Sequence, residues 1–416
     1  MSGEYRRNHY VPEWYQRRFI PPEARDKELL YLNLTPGTFT DPRGVTHLRK
    51  ALRRLGPKYC FYETDLYATT LPLISPTDIE RLFFGVIDSD GKAAVEHFGE
   101  FEHLKPGQHE AVKALMLYMS TQKLRTPKGL SWLQQRVRTT DKDVLLQRMI
   151  GLRQLFCAIW WESIWLVADA KHSETKFIIS DHPVTVYNRR CGPRSQWCRG
   201  DNDPDIWLNG THTIFPLSLD RILILTNLSW VRNPYQSPTA SRPNPNPLRS
   251  AIFSLLDIQT DRHLTEEEVR QINFIIKTRA RRYLAAGRED WLYPENFISK
   301  SDWAHYGTGY LLMPDPRSVR FTREIIMGFK DGTATAFDEY GRRPWDPDYK
   351  RPVKGPDEWY TFHKFQGEFA RLFGPYRRGR TFEVSGLGPE KDSDDFHKYH
   401  LSLEKHKPRK ADNVAR

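Results

Sequence analysis

The stretch KFIISDHPVTVY spans residues 176–187 and changes the periodicity of the chain. Residues 176–180 and 185–187 are rich in β-branched and aromatic residues, which favour strands. Between them lies the segment 181–184, which contains an aspartate, a histidine and a proline. Two more apolar runs, at residues 214–216 and 221–225, also predict strands. We therefore expect a sheet in this part of the chain.

The residues before this stretch have helical periodicity. From Gln108, apolar residues recur at helical spacing until Pro127, which forbids continuation and leaves Arg125 in the last turn of the helix. A further tract runs from Val144 to about Ala168. Its apolar face is so wide that we predict it as the central buried helix of the fold.

A third helical tract follows the predicted strands. Thr265 and Glu268 form a capping box before an apolar repeat, and the predicted helix ends near Gly287. Helices and strands are thus segregated along the chain rather than alternating. We predict an α+β fold in which a helical middle packs on a mixed or antiparallel sheet.

The two ends of the chain differ from the middle. Residues 28–34 predict an entry strand that is closed by a turn at 35–37, and residues 75–80 carry the signals of a helix start. We assign residues 1–290 to a core domain. Residues 291–400 form an aromatic-rich C-terminal extension, and residues 401–416 form a basic, flexible tail. Within the extension, aromatic residues at helical spacing around 359–373 predict a short amphipathic helix.

Composition limits the class of protein. The 416 residues carry a formal net charge of +11, which favours a polyanionic partner such as nucleic acid. No apolar run is long enough to span a membrane, and the first residues lack the apolar segment of a secretion signal. Four scattered cysteines fit a reducing compartment. We expect a cytoplasmic protein without membrane contact. The sequence leaves its oligomeric state undetermined.

The N-terminal stretch NHYVPEWYQRRF, residues 8–19, joins a titratable imidazole to a proline and a run of aromatic residues. This opening resembles the family known as domain of unknown function 4238. Further landmarks in the same order resemble the family: Glu80, the segment KLRTP at 123–127, the segment ISDHPV at 179–184, and Asn273. The family has no assigned function, so the resemblance implies a relationship and no activity.

The chain departs from the family pattern at three positions. Ile179 and His182 replace the hydroxyl residue and the asparagine that usually flank the Ser-Asp pair. The glutamate that is usual in the first long helix is shifted or replaced, and Asp88 is the nearest carboxylate. A site that depended on this second carboxylate would therefore differ here.

Five polar residues at predicted element boundaries suggest one chemistry. His9, Glu80, Arg125, Asp181 and His182 are predicted to converge in a cleft. Asp181 with Glu80 or Asp88 would hold Mg²⁺ or Mn²⁺, His9 would act as a base towards water, and Arg125 would bind a phosphoryl oxygen. Tyr10 and His182 would contact the substrate. This describes a metal-dependent phosphodiesterase that acts on nucleic acid.

The alternative hypothesis gives the same residues structural roles. Asp181 would cap a turn, Arg125 would satisfy helix carbonyls or pair with Asp181, and Glu80 would cap its own helix. His9 would hydrogen-bond into the core. The protein would then be a non-catalytic module that binds nucleic acid or protein. No nucleophile elbow, phosphate-binding glycine loop, paired-cysteine zinc site or kinase signature is present in the sequence. Both hypotheses remain open at this stage.

Overall fold

The structure is a computed structural model. It describes residues 7–64, 66–67, 84–198, 203–242, 254–298, 303–308, 310–319, 325–338, 340–347, 349 and 355–373. The predicted helix start at 75–80, with Glu80, lies outside the described residues, as does the predicted tail at 401–416.

The described residues form one α-helix near the N-terminus, four successive α-helices between residues 85 and 161, and four more between residues 228 and 373. They are α1 (Glu13–Arg17), α2 (Gly85–Gly99), α3 (Gln108–Arg125), α4 (Pro127–Val137), α5 (Lys142–Trp161), α6 (Leu228–Arg232), α7 (Glu266–Arg279), α8 (His305–Thr308) and α9 (Gly355–Phe373).

The strands lie mainly before and after the helical middle. They are β1 (Arg7–His9), β2 (Leu29–Asn33), β3 (Thr38–Thr40), β4 (Thr46–Leu48), β5 (Leu52–Leu55), β6 (Tyr62–Thr64), β7 (Ser163–Asp169), β8 (Ile179–Ser180), β9 (Thr185–Tyr187), β10 (His212–Pro216), β11 (Arg221–Asn227), β12 (Gln259–His263), β13 (Tyr283–Ala286), β14 (Ile325–Gly328) and β15 (Ala334–Phe337).

Two sheets organise the core. The first has the strand order β12-β7-β11-β10-β9, in which β12 pairs with β7 in parallel and all other pairs are antiparallel. The second has the order β5-β2-β13-β8 and is antiparallel throughout. Helix α5 packs against β11 of the first sheet, and the Trp160 indole N–H donates to Thr213 Oγ1 at 3.0 Å. The predicted α+β class is confirmed.

The predicted central helix is shorter than expected. Helix α5 ends at Trp161, and residues 163–169 form the strand β7 instead of continuing the helix to about Ala168. Strand β7 is hydrogen-bonded on both edges and is buried along most of its length. Such a strand is apolar on both faces, so its sequence does not differ in periodicity from a buried helix. The prediction was wrong here for that reason.

A second boundary also differs from the prediction. The Thr265 capping box is present as predicted, but α7 ends at Arg279, well before Gly287. Residues 283–286 form β13, which inserts between β2 and β8. A four-residue strand is too short to show alternation, so the sequence does not distinguish it from the end of the helix.

The C-terminal part of the described chain contributes a separate small cluster of apolar side chains. Phe365 and Phe369 of α9 pack with Trp230 and Val231 of α6 and with Met313. The predicted amphipathic helix is confirmed by α9, in which Phe362, Phe365 and Phe369 are buried. Within the described residues, no helix has both the length and the apolar character that a membrane span requires.

Candidate functional site

The C-terminal end of α3 brings the sequence motifs together. Gln122 Nε2 donates to the backbone carbonyl of Tyr10 at 2.6 Å, which ties the N-terminal motif to this helix. The Tyr67 hydroxyl donates to the carbonyl of Arg125 at 2.7 Å. Thr126 Oγ1 lies 2.7 Å from Nδ1 of His182. The motifs therefore meet in space, although not through all the side chains that we predicted.

Arg125 forms a buried ion pair with Asp88 of α2. Its two terminal nitrogens lie 3.0 and 2.8 Å from the two carboxylate oxygens, and its Nε donates to Gln122 at 2.8 Å. Burial opposes the charge on the guanidinium, but Asp88 outweighs burial and raises the pKa of Arg125. The alternative partners that we expected, helix carbonyls or Asp181, are not the ones it contacts. With its fork occupied by Asp88, Arg125 joins α2 to α3.

Asp181 binds backbone N–H groups of the second sheet. Its carboxylate accepts from Arg281 at 2.9 Å, from Arg282 at 2.6 Å and from Tyr283 at 2.9 Å. Burial raises the pKa of Asp181, against the stabilising effect of these three donors. The structural alternative predicted that Asp181 caps its own turn. Its carboxylate instead accepts from the backbone of residues 281–283. It holds the start of β13 beside β8.

His9 and Tyr10 have separate environments although they are neighbours in sequence. His9 Nε2 lies 3.1 Å from the carbonyl of Lys58 and 3.8 Å from Glu13 Oε1, at the partly exposed pairing of β1 with β6. The Tyr10 side chain is buried against Phe61, and burial raises its pKa. Among the described residues, no hydrogen bond or ion pair joins any two of His9, Arg125 and Asp181. Their joint catalytic role stays a prediction.

His182 lies in a buried cluster that includes residues we did not predict. Its Nε2 is 3.1 Å from Asp203 Oδ2 and 3.2 Å from Nζ of Lys123. Lys123 donates to Asp203 Oδ2 at 3.0 Å, and Lys128 donates to Asp203 Oδ1 at 2.6 Å. Thr126 Oγ1 also accepts from the Gly129 N–H at 3.2 Å, which caps α4. The cluster therefore locks α3, α4 and the segments around 182 and 203 together.

The electrostatics of this cluster follow from burial and from two cations around one anion. Burial opposes ionisation of Asp203, but Lys128, Lys123 and His182 outweigh it and hold the pKa of Asp203 well below its ordinary value. Burial, with Lys123, lowers the pKa of His182 to about 4. Burial also lowers the pKa of Lys123, against the effect of Asp203. His182 is thus a neutral imidazole near pH 7, and both its ring nitrogens have partners.

A small cavity adjoins this cluster. Its volume is about 30 Å³, and it is lined by side chains such as Lys123, Lys128, His182, Trp132 and Ile206. A space of this size holds a water molecule and no substrate. Of the predicted metal pair, Asp181 lies among the described residues and Glu80 lies outside them. In the described part of the chain, no three His, Cys, Asp or Glu side chains lie close enough together to hold a metal ion.

The second sheet carries a different kind of candidate site. Residues 36–50, which we call the arm, extend the β2–β5 hairpin through β3, β4 and a turn. All side chains of β3 and β4 are exposed, including Phe39 at 45% and Leu48 at 67%. Exposure on both faces means that the arm projects from the fold. At about 3.3 Å per residue, each of its three-residue strands is about 10 Å long.

The arm and its base are strongly basic. Asp41 is the only acidic residue between positions 36 and 54, which also contain exposed Arg43, Arg49, Lys50, Arg53 and Arg54. Arg282 lies at the base, where its Nε donates to Asn33 Oδ1 at 3.4 Å and its carbonyl accepts from the Leu34 N–H. Two basic clusters that are distant in sequence thus share one sheet. Arg279 does not join them, because it is buried and donates to Cys191 and Cys198.

Sequence reasoning missed both Asp203 and the arm. Asp203 is 80 residues from Lys123 in sequence and belongs to no motif, so no local signal indicates it. The arm did have a signal. The sequence TFTDPRGVTHL at 38–48 is two short alternating runs around a turn containing proline and glycine, which is typical of a hairpin.

Comparison with protein families identifies the relationship of the chain. Residues 152–290 match the DUF4238 family, which is described as a protein of unknown function. The resemblance predicted from the motifs is confirmed over this third of the chain. The matched region contains Asp181, His182 and Asn273, whereas His9 and Arg125 precede it. No curated protein and no solved structure matches the chain.

Asn273, which the sequence comparison with DUF4238 also singled out, binds the backbone just before β8. Its side chain accepts from the Ile178 N–H at 3.3 Å and donates to the Lys176 carbonyl at 2.8 Å. It therefore fixes the extended segment that leads into β8. Within the DUF4238 match, Asn273 and Asp181 both bind backbone groups of other elements, which is a role in positioning the second sheet.

Proposed function

We propose that the protein binds nucleic acid through the arm and that Arg125, Asp181 and His182 support the fold that presents it. The observation that carries this proposal is the projecting hairpin with five cations and one anion between positions 36 and 54. Exposed cations attract a phosphate backbone and release its counterions, so such a surface contributes affinity without any buried pocket. The net charge of +11 acts in the same direction.

The contacts of the motif residues favour binding over cleavage. Arg125 is occupied by Asp88, Asp181 by three backbone N–H groups, and His182 by Thr126 and Asp203. These side chains are buried and already have partners inside the fold, which favours a structural role over binding of a phosphoryl group. The metal-dependent phosphodiesterase that the sequence suggested is therefore the weaker hypothesis.

Salt dependence tests the binding proposal. We would measure the dissociation constant for a fluorescent 20-base-pair DNA by anisotropy, from 50 to 200 mM salt. Affinity should fall by about five hundredfold across this range if about five phosphates are contacted. The double variant Arg49→Gln with Lys50→Gln should reduce the slope of log affinity against log salt by about two. The matched control, Lys113→Gln with Arg148→Gln, removes two exposed cations from α3 and α5 and should leave the slope unchanged.

Failure of the proposal would be clear in this assay. Equal losses in the two double variants would assign the binding to net charge and reject the arm as the site. Absence of binding to DNA and RNA at 50 mM salt would reject nucleic acid as the partner.

Cleavage is tested with the same DNA and with RNA at several Mg²⁺ and Mn²⁺ concentrations. We expect intact nucleic acid with wild type and with Asp181→Asn. Cleavage by wild type that Asp181→Asn loses, with folding and binding retained, would replace the proposed function by the metal-dependent phosphodiesterase.

A further inference from the structure

We infer that the ligand of the arm is double-stranded DNA of B form and that the arm lies in its major groove. This inference rests on the proposed function and names the class of nucleic acid. It follows from the shape of the arm, from the difference between its two faces, and from the positions of its cations.

The shape of the arm matches the major groove. The arm is a two-stranded antiparallel ribbon that pairs Thr38 with Leu48 and Thr40 with Thr46, and all side chains of β3 and β4 are exposed. The major groove of B-form DNA is about 12 Å wide and admits a two-stranded ribbon. The major groove of an RNA duplex is deep and narrow, so a ribbon of this kind does not enter it.

The two faces of the arm differ in bulk. One face carries Thr38, Thr40, Thr46 and Leu48, because directly paired residues point to the same side of a ribbon. Thr40 and Thr46 lie with their hydroxyls 3.2 Å apart, and each oxygen keeps capacity for a further hydrogen bond. Threonine hydroxyls bond to base edges, and their methyl groups contact thymine methyl groups. We assign this flat face, the threonine face, to the floor of the groove.

The opposite face is bulkier and is partly satisfied within the arm. Phe39 stacks on His47 with ring centroids 5.3 Å apart, and the Arg49 guanidinium lies 5.9 Å from the Phe39 ring centre. An exposed aromatic ring is also a stacking surface for an unpaired base, which makes single-stranded nucleic acid the competing ligand. In this arm His47 and Arg49 already lie beside the Phe39 ring and would compete with an unpaired base for it. This favours the duplex as the ligand.

The tip of the arm is fixed before any ligand binds. Asp41 Oδ1 accepts from the N–H groups of Arg43 and Val45, both at 2.9 Å, and Oδ2 lies 3.1 Å from His47 Nε2. Gly44 has φ of +81°, a conformation that glycine adopts without strain. An ordered tip reduces the entropy lost on binding. It also fixes the position of Arg43, which lies at one end of the arm while Arg53, Arg54 and Arg282 lie at its base.

The distribution of cations suits a groove with phosphates on both sides. Arg43 lies at the tip, Arg53 and Arg54 lie at the base, and the Arg49 guanidinium lies near Phe39 on the opposite face, whereas the threonine face is uncharged. This arrangement places positive charge towards the two phosphate backbones and leaves small polar groups for the bases. A surface that bound a polyanion without a defined orientation would not need an uncharged face.

The experiment compares three ligands of one sequence: a 20-base-pair DNA duplex, the corresponding RNA duplex, and one DNA strand, all at 100 mM salt. We expect the DNA duplex to bind at least tenfold more tightly than the other two. Dimethyl sulfate supplies a second readout, because it methylates guanine N7, which lies in the major groove. Bound protein should protect N7 atoms from methylation.

Two variants of neighbouring residues test the orientation of the arm. Thr40→Asp adds a negative charge to the threonine face, and Phe39→Asp adds the same charge to the opposite face. Both side chains are exposed, so both variants should keep the melting temperature of wild type. Thr40→Asp should lose at least tenfold more duplex affinity than Phe39→Asp and should lose N7 protection.

Each outcome decides the inference. Equal or tighter binding of the RNA duplex or the single strand would overturn it while leaving the proposed function intact. Duplex binding without N7 protection, or equal effects of the two variants, would also overturn it. If wild type binds none of the three ligands, the proposed function itself is rejected.

Discussion

Asp203 is the single anion of the buried cluster at the end of α3. It accepts from Lys123 and Lys128 and pairs with Nε2 of His182, and its side chain is only 8% exposed. Two lysine ammonium groups in the same low-dielectric site repel each other and depend on this carboxylate. A substitution that neutralises Asp203 should therefore affect α3, α4 and the segment around residue 182 together.

We expect Asp203→Asn to destabilise the protein by about 3–5 kcal/mol, because removing one partner leaves buried charge uncompensated. The measurement is urea unfolding at pH 7, followed by tryptophan fluorescence. Asp290→Asn is the control, since Asp290 pairs with Arg288 on the surface and such exposed pairs contribute about 0–1 kcal/mol. Equal effects of the two variants would show that the cluster does not have the stabilising role inferred here.

His182 should make stability depend on acid. Its pKa falls from 6.5 to about 4 on folding, so the unfolded chain takes up a proton first as the pH decreases. The free energy of unfolding is therefore highest above about pH 6.5 and falls as the pH approaches 4, by up to about 3 kcal/mol from this residue. His212 has a pKa lowered to about 3 by burial and contributes in the same direction.

The variant His182→Gln isolates this contribution. It should show a smaller loss of unfolding free energy between pH 7 and 4.5 than wild type, with the remainder due to His212 and other groups. His109→Gln, at an exposed position of α3, is the control for the change of residue type. An unchanged pH dependence in His182→Gln would contradict the neutral buried state of the imidazole.

At the scale of elements, the arm is separable from the fold that carries it. Its strands β3 and β4 pair with each other, and their side chains are exposed on both faces. At the base of the arm, the Asn33 N–H donates to the Ala51 carbonyl at 2.8 Å. A short turn could therefore join β2 to β5 directly after this pair. Removal of the arm should therefore cost little burial.

We predict that replacing residues 35–49 by Asn-Gly leaves the fold intact and abolishes nucleic-acid binding. Asn-Gly forms the two-residue turn that joins antiparallel strands directly. The free energy of unfolding should change by less than about 1 kcal/mol, as for other surface changes. Circular dichroism and urea unfolding measure the fold, and anisotropy measures the binding. Retained binding would place the ligand elsewhere on the molecule.

The elements differ in how well their sequences predict them. Helix α3 and the capping box of α7 were predicted because their signals are local, namely Pro127 after the last turn and Thr265 before the first. Strand β7 was predicted as helix, because a strand that is buried on both faces has no alternation. The type of an element is thus predictable where neighbouring residues in sequence determine it. It is less predictable where the surrounding sheet determines whether a segment is a strand.

The candidate site was predictable to a similar extent. Asp181 and His182 were predicted to lie at an element boundary, and they follow β8 directly and are buried among polar partners. Their partners are the backbone at 281–283 and the side chain of Asp203, which no spacing rule connects to them. Contacts across such sequence separations arise from the packing of whole elements, so the sequence indicated the residues and not their roles.

At the scale of the whole molecule, stability should be unevenly distributed. Strand β11 is hydrogen-bonded to β7 and β10 and is almost entirely buried, whereas β3 and β4 form a separate two-stranded ribbon whose side chains are exposed. Local opening requires little energy where few apolar contacts are broken. The arm can therefore open and close without disturbing the two core sheets.

Hydrogen exchange tests this distribution. Amides of residues 222–225 should exchange at least about a hundredfold more slowly than amides of residues 38–40 and 46–48, as measured by mass spectrometry of peptides. Addition of saturating DNA duplex should slow exchange in the arm and leave β11 unchanged. Slow exchange of the arm in the free protein would show that it is more tightly held than its exposure indicates.

The position of β13 between β2 and β8 has a consequence for synthesis of the chain on the ribosome. Strand β2 is made early, but the neighbour that completes its sheet is residues 283–286, about 250 positions later. At about 5–20 residues per second, the β2–β5 hairpin waits roughly ten to fifty seconds with one edge unpaired. Unpaired edges of nascent strands associate with other chains, and clustered like charges oppose this. Arg53 and Arg54 on β5, with the cations of the arm, would keep neighbouring nascent chains apart until β13 emerges.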